Sequence, residues 1–285
     1  MGIDLGGARG KSTAVVLLCR PEQGQTALVE TVMASADNGP WNDDALLEYF
    51  GQWDAANTAI AINAPLTSPA CVRCTLSKCP GTQVCVEPAT VWLRTRGQEL
   101  QIQAVLADRS RIASMPNSTS FSDGLSIPTS ALQRLPPYTQ RCTEVELHFS
   151  RGLLPREHLA QSSWAIATRA AFLRRSLSNL GFTLNESLLE VSPRCTVHAL
   201  FGEKRARGYK RDADPWHTRA SIVEGMNDIS FATTSRMSRE DVLRNDNCFV
   251  ALISAYTGFL WARENWSIDP AAAFQDDGWI WAPGE

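Results

Sequence analysis

Gly2-Ile3-Asp4-Leu5-Gly6-Gly7-Ala8-Arg9-Gly10-Lys11-Ser12-Thr13-Ala14-Val15-Val16-Leu17-Leu18 is the stretch that decides the fold class. A short apolar run carrying one acid, Asp4, breaks at Gly6-Gly7, and a continuous apolar run of strand length follows from Ala14 to Leu18. The stretch reads as strand, Gly-rich turn, strand. Ala27 to Met33 mixes β-branched and polar residues and adds a third strand to the meander. Leu46, Leu47, Phe50 and Trp53 then recur at helical spacing, which predicts a helix over 41–53. Thr58 to Ile62 reads as a buried strand that Pro65 cannot continue, so Asn63 falls at its C-terminal edge. Further along, Leu159 to Leu180 predicts a helix with Gly181 as its C-cap, and Leu188 to Val191 a strand that stops before Pro193. Ser238 to Trp261 predicts one long amphipathic helix, opened by Ser238 with Asp241 three residues on, and 277–281 a last strand. The order predicts an α/β fold in one domain spanning 1–285, with a Cys-rich metal-loop insertion over 67–90.

Composition narrows the function. The chain has 285 residues, 27 Lys and Arg against 30 Asp and Glu, a net charge of -3, and 44% hydrophobic residues, which excludes a fibrous or disordered chain. No run approaches the ~18 apolar residues of a membrane span, so no membrane partner is expected. The opening Met1-Gly2-Ile3-Asp4 has no signal-peptide character, and a cytoplasmic location is expected. A mildly acidic chain does not coat nucleic acid indiscriminately, so such a partner requires a local patch. Lys204, Arg205, Arg207, Lys210 and Arg211 supply one, and Arg169, Arg174 and Arg175 a second. Oligomeric state is not legible. Gly6 to Ser12 reads as a Gly-rich hairpin turn in preference to a nucleotide-binding P-loop: Leu5 stands where the first glycine of that motif belongs, and the loop joins two strands.

Three acids sit where a lone carboxylate is costly. Asp4 and Glu190 each lie inside an apolar strand, and on a helical wheel Asp246 falls within ~60° of Val242, Phe249, Val250, Ile253 and Leu260. Each also has a plain structural explanation: Asp4 accepting from the glycine turn, Glu190 on an edge strand, Asp246 capping another element. Together they form the layout of a two-metal phosphoryl-transfer site, in which Mg²⁺ or Mn²⁺ ions ~3.5–4 Å apart clamp the attacking and leaving oxygens.

Cys71, Cys74, Cys79 and Cys85 give C-x2-C-x4-C-x5-C, with Pro80-Gly81 as the turn between them. Four cysteines at such spacing, with no secretory signal, point to a metal site. Zn²⁺ fits a closed four-thiolate site and is favoured; a [4Fe–4S] cluster uses the same ligands. Cys19, Cys142, Cys195 and Cys248 are scattered and expected as plain thiols.

Several stretches resemble the domain-of-unknown-function 429 family of predicted nucleases, which have a ribonuclease H-like fold. They are Gly2 to Gly7, Ile62-Asn63-Ala64-Pro65-Leu66, Glu190-Val191-Ser192-Pro193-Arg194, Tyr209-Lys210, Arg219, Ala251 to Thr257, and Gly278-Trp279-Ile280, in the family's order along nearly the whole chain. The resemblance implies a mixed sheet flanked by helices and a divalent-metal site at the strand ends. The expected site is then Asp4, Asn63, Glu190 and Asp246 on Mg²⁺ or Mn²⁺, with Lys210 and Arg219 holding a substrate phosphate. The chain would be a metal-dependent nuclease. Two departures stand out. The family's fourth-strand motif reads Ile-Asp-Ala-Pro-Leu, whereas this chain has Asn63; and before the Ala-Leu-x-x-Ala run the metal-facing residue is Asp246 or, one position later, Asn247. The alternative expectation is therefore a catalytically degenerate nucleic-acid-binding or regulatory module with a structural metal knuckle. A third, nucleotide-phosphate binding of the sugar-kinase type, shares only the Gly-rich hairpin.

Overall fold

The structure is a computed structural model and describes residues 1–20, 26–113, 134–155, 164–268 and 271–284. In chain order the elements are β1 (Gly2–Asp4), β2 (Ala14–Cys19), β3 (Ala27–Met33), α1 (Asp43–Phe50), β4 (Ile60–Ile62), α2 (Ala70–Arg73), α3 (Pro88–Trp92), a π-helical turn (Leu93–Gly97), α4 (Gln98–Ala113) and α5 (Cys142–Arg151). They continue with α6 (Trp164–Asn179), β5 (Leu188–Val191), α7 (Pro193–Phe201), α8 (Glu203–Arg211), α9 (Pro215–Gly225), β6 (Ile229–Phe231), α10 (Arg239–Arg244), α11 (Asp246–Glu264), α12 (Ala272–Asp277) and β7 (Ile280–Trp281). No helix among the described residues is long and apolar enough to cross a membrane.

The α/β expectation holds. The sheet order is β6-β3-β2-β1-β4-β5-β7. The first three strands form the expected antiparallel meander, and β1–β4, β4–β5, β5–β7 and β3–β6 pair in parallel. Two compact units emerge: Met1–Thr67 with Leu159–Asp269 and Gly278–Glu285, and Ser68–His158 with Pro270–Asp277. The four-cysteine stretch belongs to the second unit, which is larger than the 67–90 insertion expected from the sequence.

In the first unit helices cover both sheet faces. On one, α11 packs with α7, α8 and α9 over Ala14, Val16, Ala27 and Val29. Gly2 allows the close approach: a Cβ there would lie inside the backbone of Ala251 and Ala255. On the other face Leu46 and Phe50 of α1 and Ala170, Leu173 and Leu177 of α6 pack on Ile3, Leu5, Val15, Ile60, Ile62 and Leu188. The Gly181 cap is where it was expected, at φ 91°, with Phe182 N–H returning to the carbonyl of Leu177. The start of the 159–180 helix lies outside the described residues before Trp164.

The single helix expected over 238–261 is two. Asn245 leaves helical geometry at φ -95° and ψ 112°, and its carboxamide accepts from the backbone N–H groups of Asn247 and Cys248. An Asn side chain that can bond backbone two and three residues on competes with the helix and starts a new one. Ser238 and Asp241 do form a capping box, but for the short α10.

In the second unit, buried Asp277 joins distant segments: it accepts from Arg73 Nη2 at 2.7 Å and from the Cys142 N–H at 2.6 Å. Arg73 also pairs with Glu87 at 3.0 Å. Buried Arg141 is neutralised by Glu144 at 2.9 Å.

Candidate functional site

Strand register sorts the acids. Ile3 pairs with Ile62, and Ile62 with Glu190, so these three side chains share a face. That face is the one under α1 and α6. Asp4 follows Ile3 and therefore points the other way, toward α11, as Gly2 does. Asn63 follows Ile62 and joins Asp4 there: its Nδ2 donates to Asp4 Oδ1 at 2.9 Å. Asp4 is 9% exposed. It also acts on α11, where burial first and the Asp4 charge second push the Cys248 thiol up to about 12.

Glu190 does not join this pair. It is 4% exposed, on the opposite face, and accepts from the Leu66 backbone N–H at 2.8 Å. Its carboxylate thereby fixes the Asn63-Ala64-Pro65-Leu66 turn. The expectation that Glu190 converges with Asp4 is corrected by strand alternation.

Asp246 is corrected too. The helix break puts it in the first turn of α11, with its side chain 42% exposed rather than in the apolar face. On α11 the backbone of Ala251 and Ala255 lies against Gly2 of β1. One turn earlier stand Cys248, whose thiol feels the Asp4 charge, and Asn247; Asp246 lies ~100° round the helix from Asn247. Asp246 turns instead to the cations: Arg219 Nη2 donates to its Oδ1 at 2.8 Å and Lys210 Nζ lies 3.1 Å from its Oδ2.

The two expected phosphate ligands are thus engaged. Arg219 is 5% exposed and also donates to the carbonyls of Tyr209 at 2.8 Å and Leu243 at 3.0 Å. Its fork ties α8, α9, α10 and α11 together. Arg169, taken with Arg174 and Arg175 as a basic patch, is likewise internal. It donates to the carbonyls of Gly6, Gly7 and Trp41, to Thr13 Oγ1 and to Asp43, and so shapes the glycine hairpin. Arg174 donates to the Leu66 carbonyl at 3.2 Å.

Arg175 is exposed, and α8 carries the larger exposed group of cations. Ala206, Gly208 and Tyr209 face inward, and Lys204, Arg205, Arg207 and Arg211 face solvent. Arg205 Nε donates to Ser221 at 3.0 Å, and Arg207 pairs with Glu203. Lys204 and Arg211 form no ion pair among the described residues. The sequence marked these cations but not the helix that carries them.

In the second unit, Cys71, Cys74, Cys79 and Cys85 line one cavity of about 480 Å³. Pro80-Gly81 makes the expected turn, with Gly81 at φ 93°. Gly81 N–H donates to Cys79 Sγ at 3.4 Å, and the N–H groups of Val84 and Cys85 return to the Gly81 carbonyl. Burial, and then Cys79, Cys85 and Cys74, push the Cys71 thiol up. Among the described residues no group of three or more His, Cys, Asp or Glu side chains could hold a metal ion.

Compared with known proteins, the chain matches no family model, no curated protein and no solved structure.

Proposed function

We propose that this chain is a nucleic-acid-binding module on a ribonuclease H-like fold, with a phosphodiester-cleaving site that is degenerate. The sheet supports the fold: an antiparallel three-strand meander continued by parallel strands from β1, with helices on both faces. The observation that carries the function is the Asn63–Asp4 hydrogen bond at 2.9 Å. Two carboxylates at adjacent strand ends repel and require a divalent ion. Here a neutral amide donates to the carboxylate of Asp4. Asp4 and Asn63 are a poor fit to Mg²⁺ or Mn²⁺, which bind through carboxylates plus substrate phosphates. For Asn63 to ligate, its carboxamide would have to turn and present Oδ1, giving up the bond to Asp4.

Binding falls to α8. Its outward cations run to Lys210, which meets Asp246 at the N-terminus of α11. That arrangement suits a phosphate backbone read by charge rather than by base edges.

The test is fluorescence anisotropy with single- and double-stranded DNA and RNA over a salt series. At least one should bind with affinity that falls with salt. Lys204→Glu with Arg211→Glu should weaken binding and flatten the salt slope by about 1 for each phosphate no longer neutralised. No binding to any of the four overturns the proposal. Cleavage in Mn²⁺ that Asp4→Asn abolishes would establish the metal-dependent nuclease instead.

A further inference from the structure

We propose that the second unit binds a nucleoside monophosphate in the cavity lined by Arg94, Arg134 and Tyr138, with the two guanidinium groups holding the phosphate. The site lies wholly in the second unit and is independent of the nucleic-acid reading of α8, which belongs to the first. Its first support is charge. The cavity, of about 470 Å³, is lined by two arginines and by no Asp or Glu. Neither Arg94 nor Arg134 forms an ion pair among the described residues. The acids nearest to Arg94 along the chain are answered elsewhere, Glu87 by Arg73 at 3.0 Å and Glu99 by Arg96 at 3.5 Å. Two like charges at one concave surface with no carboxylate between them favour an anion.

The second support is how Arg94 is held. It stands on the π-helical turn Leu93–Gly97, and Leu93, Arg94 and the residue that follows the turn, Gln98, all line the cavity. Single π-helical turns within helices are rare and recur at functional sites. Arg94 Nη1 donates to the carbonyls of Thr82 at 2.6 Å and Cys85 at 3.3 Å. Its Nε and Nη2 have no hydrogen-bond partner among the described residues. The side chain is thus fixed through one nitrogen and keeps donors for a ligand, which lowers the ordering cost of binding. A guanidinium presents parallel donors that match phosphate oxygens. A phosphomonoester carries about −1.5 to −2 charges at neutral pH and so answers both arginines, where a monocarboxylate answers one. The rest of the lining fits the nucleoside. The volume is that of a small-molecule site and exceeds a phosphate alone. Tyr138 is 56% exposed and offers a ring for stacking, and Gln83 and Gln98 supply amide donors and acceptors for a base or sugar edge.

The experiment is calorimetric titration of the full chain, at fixed ionic strength, with adenosine 5′-monophosphate, inorganic phosphate and adenosine. The monophosphate should bind at least about tenfold more tightly than either of the other two. Arg134→Gln removes one charge-assisted partner and should weaken monophosphate binding by about tenfold or more. Tyr138→Ala should weaken the monophosphate but not inorganic phosphate. Arg94→Gln should also lose binding, but it gives up the bonds to the 82–85 backbone and can unfold that loop. Arg134 makes no hydrogen bond among the described residues, so its variant carries the test, with circular dichroism to show that it is folded. Lys204→Glu with Arg211→Glu should leave monophosphate binding unchanged. No binding of the monophosphate at about 10 mM overturns the proposal. Binding that survives Arg134→Gln overturns it too, as does binding lost only in the α8 variant, which would move the phosphate to the first unit. Whether α8 binds DNA or RNA bears on none of these outcomes.

Discussion

Asn63 Nδ2 donates to Asp4 Oδ1 across 2.9 Å, joining the C-terminal ends of two adjacent parallel strands under α11. The pair sets the character of the site: a carboxylate is held by a neutral donor where a second acid would require a cation. Converting that donor to an acid is the most informative change. Asn63→Asp should lower stability without metal, because two carboxylates then face each other at a largely buried position. The expected cost is about 1–3 kcal/mol. Mn²⁺ should restore it and leave the parent unaffected. Thermal melts with and without Mn²⁺ check this; a variant as stable as the parent in chelator would show that the pair does not matter.

Glu190 is expected to act on the fold alone. Glu190→Ala leaves the Leu66 N–H buried without its acceptor and should cost about 1–3 kcal/mol in urea unfolding. Glu190→Gln keeps an acceptor oxygen and should lose less. Neither should change nucleic-acid affinity at temperatures where the variant is folded. Native stability with lost binding would return Glu190 to the site.

Arg219 and Lys210 share Asp246 but differ in burial. Arg219→Ala strands the carbonyls of Tyr209 and Leu243 as well as opening the ion pair, and should destabilise by about 2–4 kcal/mol. Lys210→Ala breaks a pair whose side chains are 36% and 42% exposed. It should cost only ~0–1 kcal/mol. Its effect should appear in nucleic-acid affinity instead. Equal destabilisation by the two would contradict the internal role of Arg219.

Thiol reactivity should follow exposure and pKa. In metal-free native protein Cys71, Cys74 and Cys79 are exposed and should alkylate first. Cys142, Cys195 and Cys248 are buried and should stay unmodified until unfolding. Cys19 is half-buried against Glu30, and desolvation followed by that hydrogen bond pushes its thiol up to about 11. Its raised folded value means that the neutral form is favoured by folding. Its modification should accelerate only as pH approaches 11, and its contribution to stability, present below the ordinary thiol value of 9, should fade between 9 and 11. Mass mapping after timed alkylation at several pH values reads both.

The sheet strands from β1 to β5, the Gly181 cap, the capping box at Ser238 and the cysteine turn were all legible in the sequence, because each rests on interactions within a few residues. Short apolar runs, a glycine at positive φ and a Ser-x-x-Asp pair carry their own physical reasons. The helices α7, α8 and α9 were missed: each is short, and their helical state comes from packing beneath α11 more than from their own pattern. Asn245 was the signal for the break before α11, an N-cap residue at the foot of an apolar run, hidden by apolar spacing that continued across it.

What only the tertiary structure decided is which acids meet. A strand displays the alternation of its own side chains but not its register with a neighbour, and one residue of register exchanges the faces. Ile62 opposite both Ile3 and Glu190 sends Glu190 to the α1–α6 face and Asp4 to the α11 face. A helical wheel likewise fixes angles between residues but not the angle at which the helix meets the sheet. The backbone of Ala251 and Ala255 packs on Gly2, while Asp246, in the first turn of the same helix, meets Arg219 and Lys210. Local chemistry along the chain chose the elements; relative register and helix rotation, which are set by packing between distant segments, chose the site.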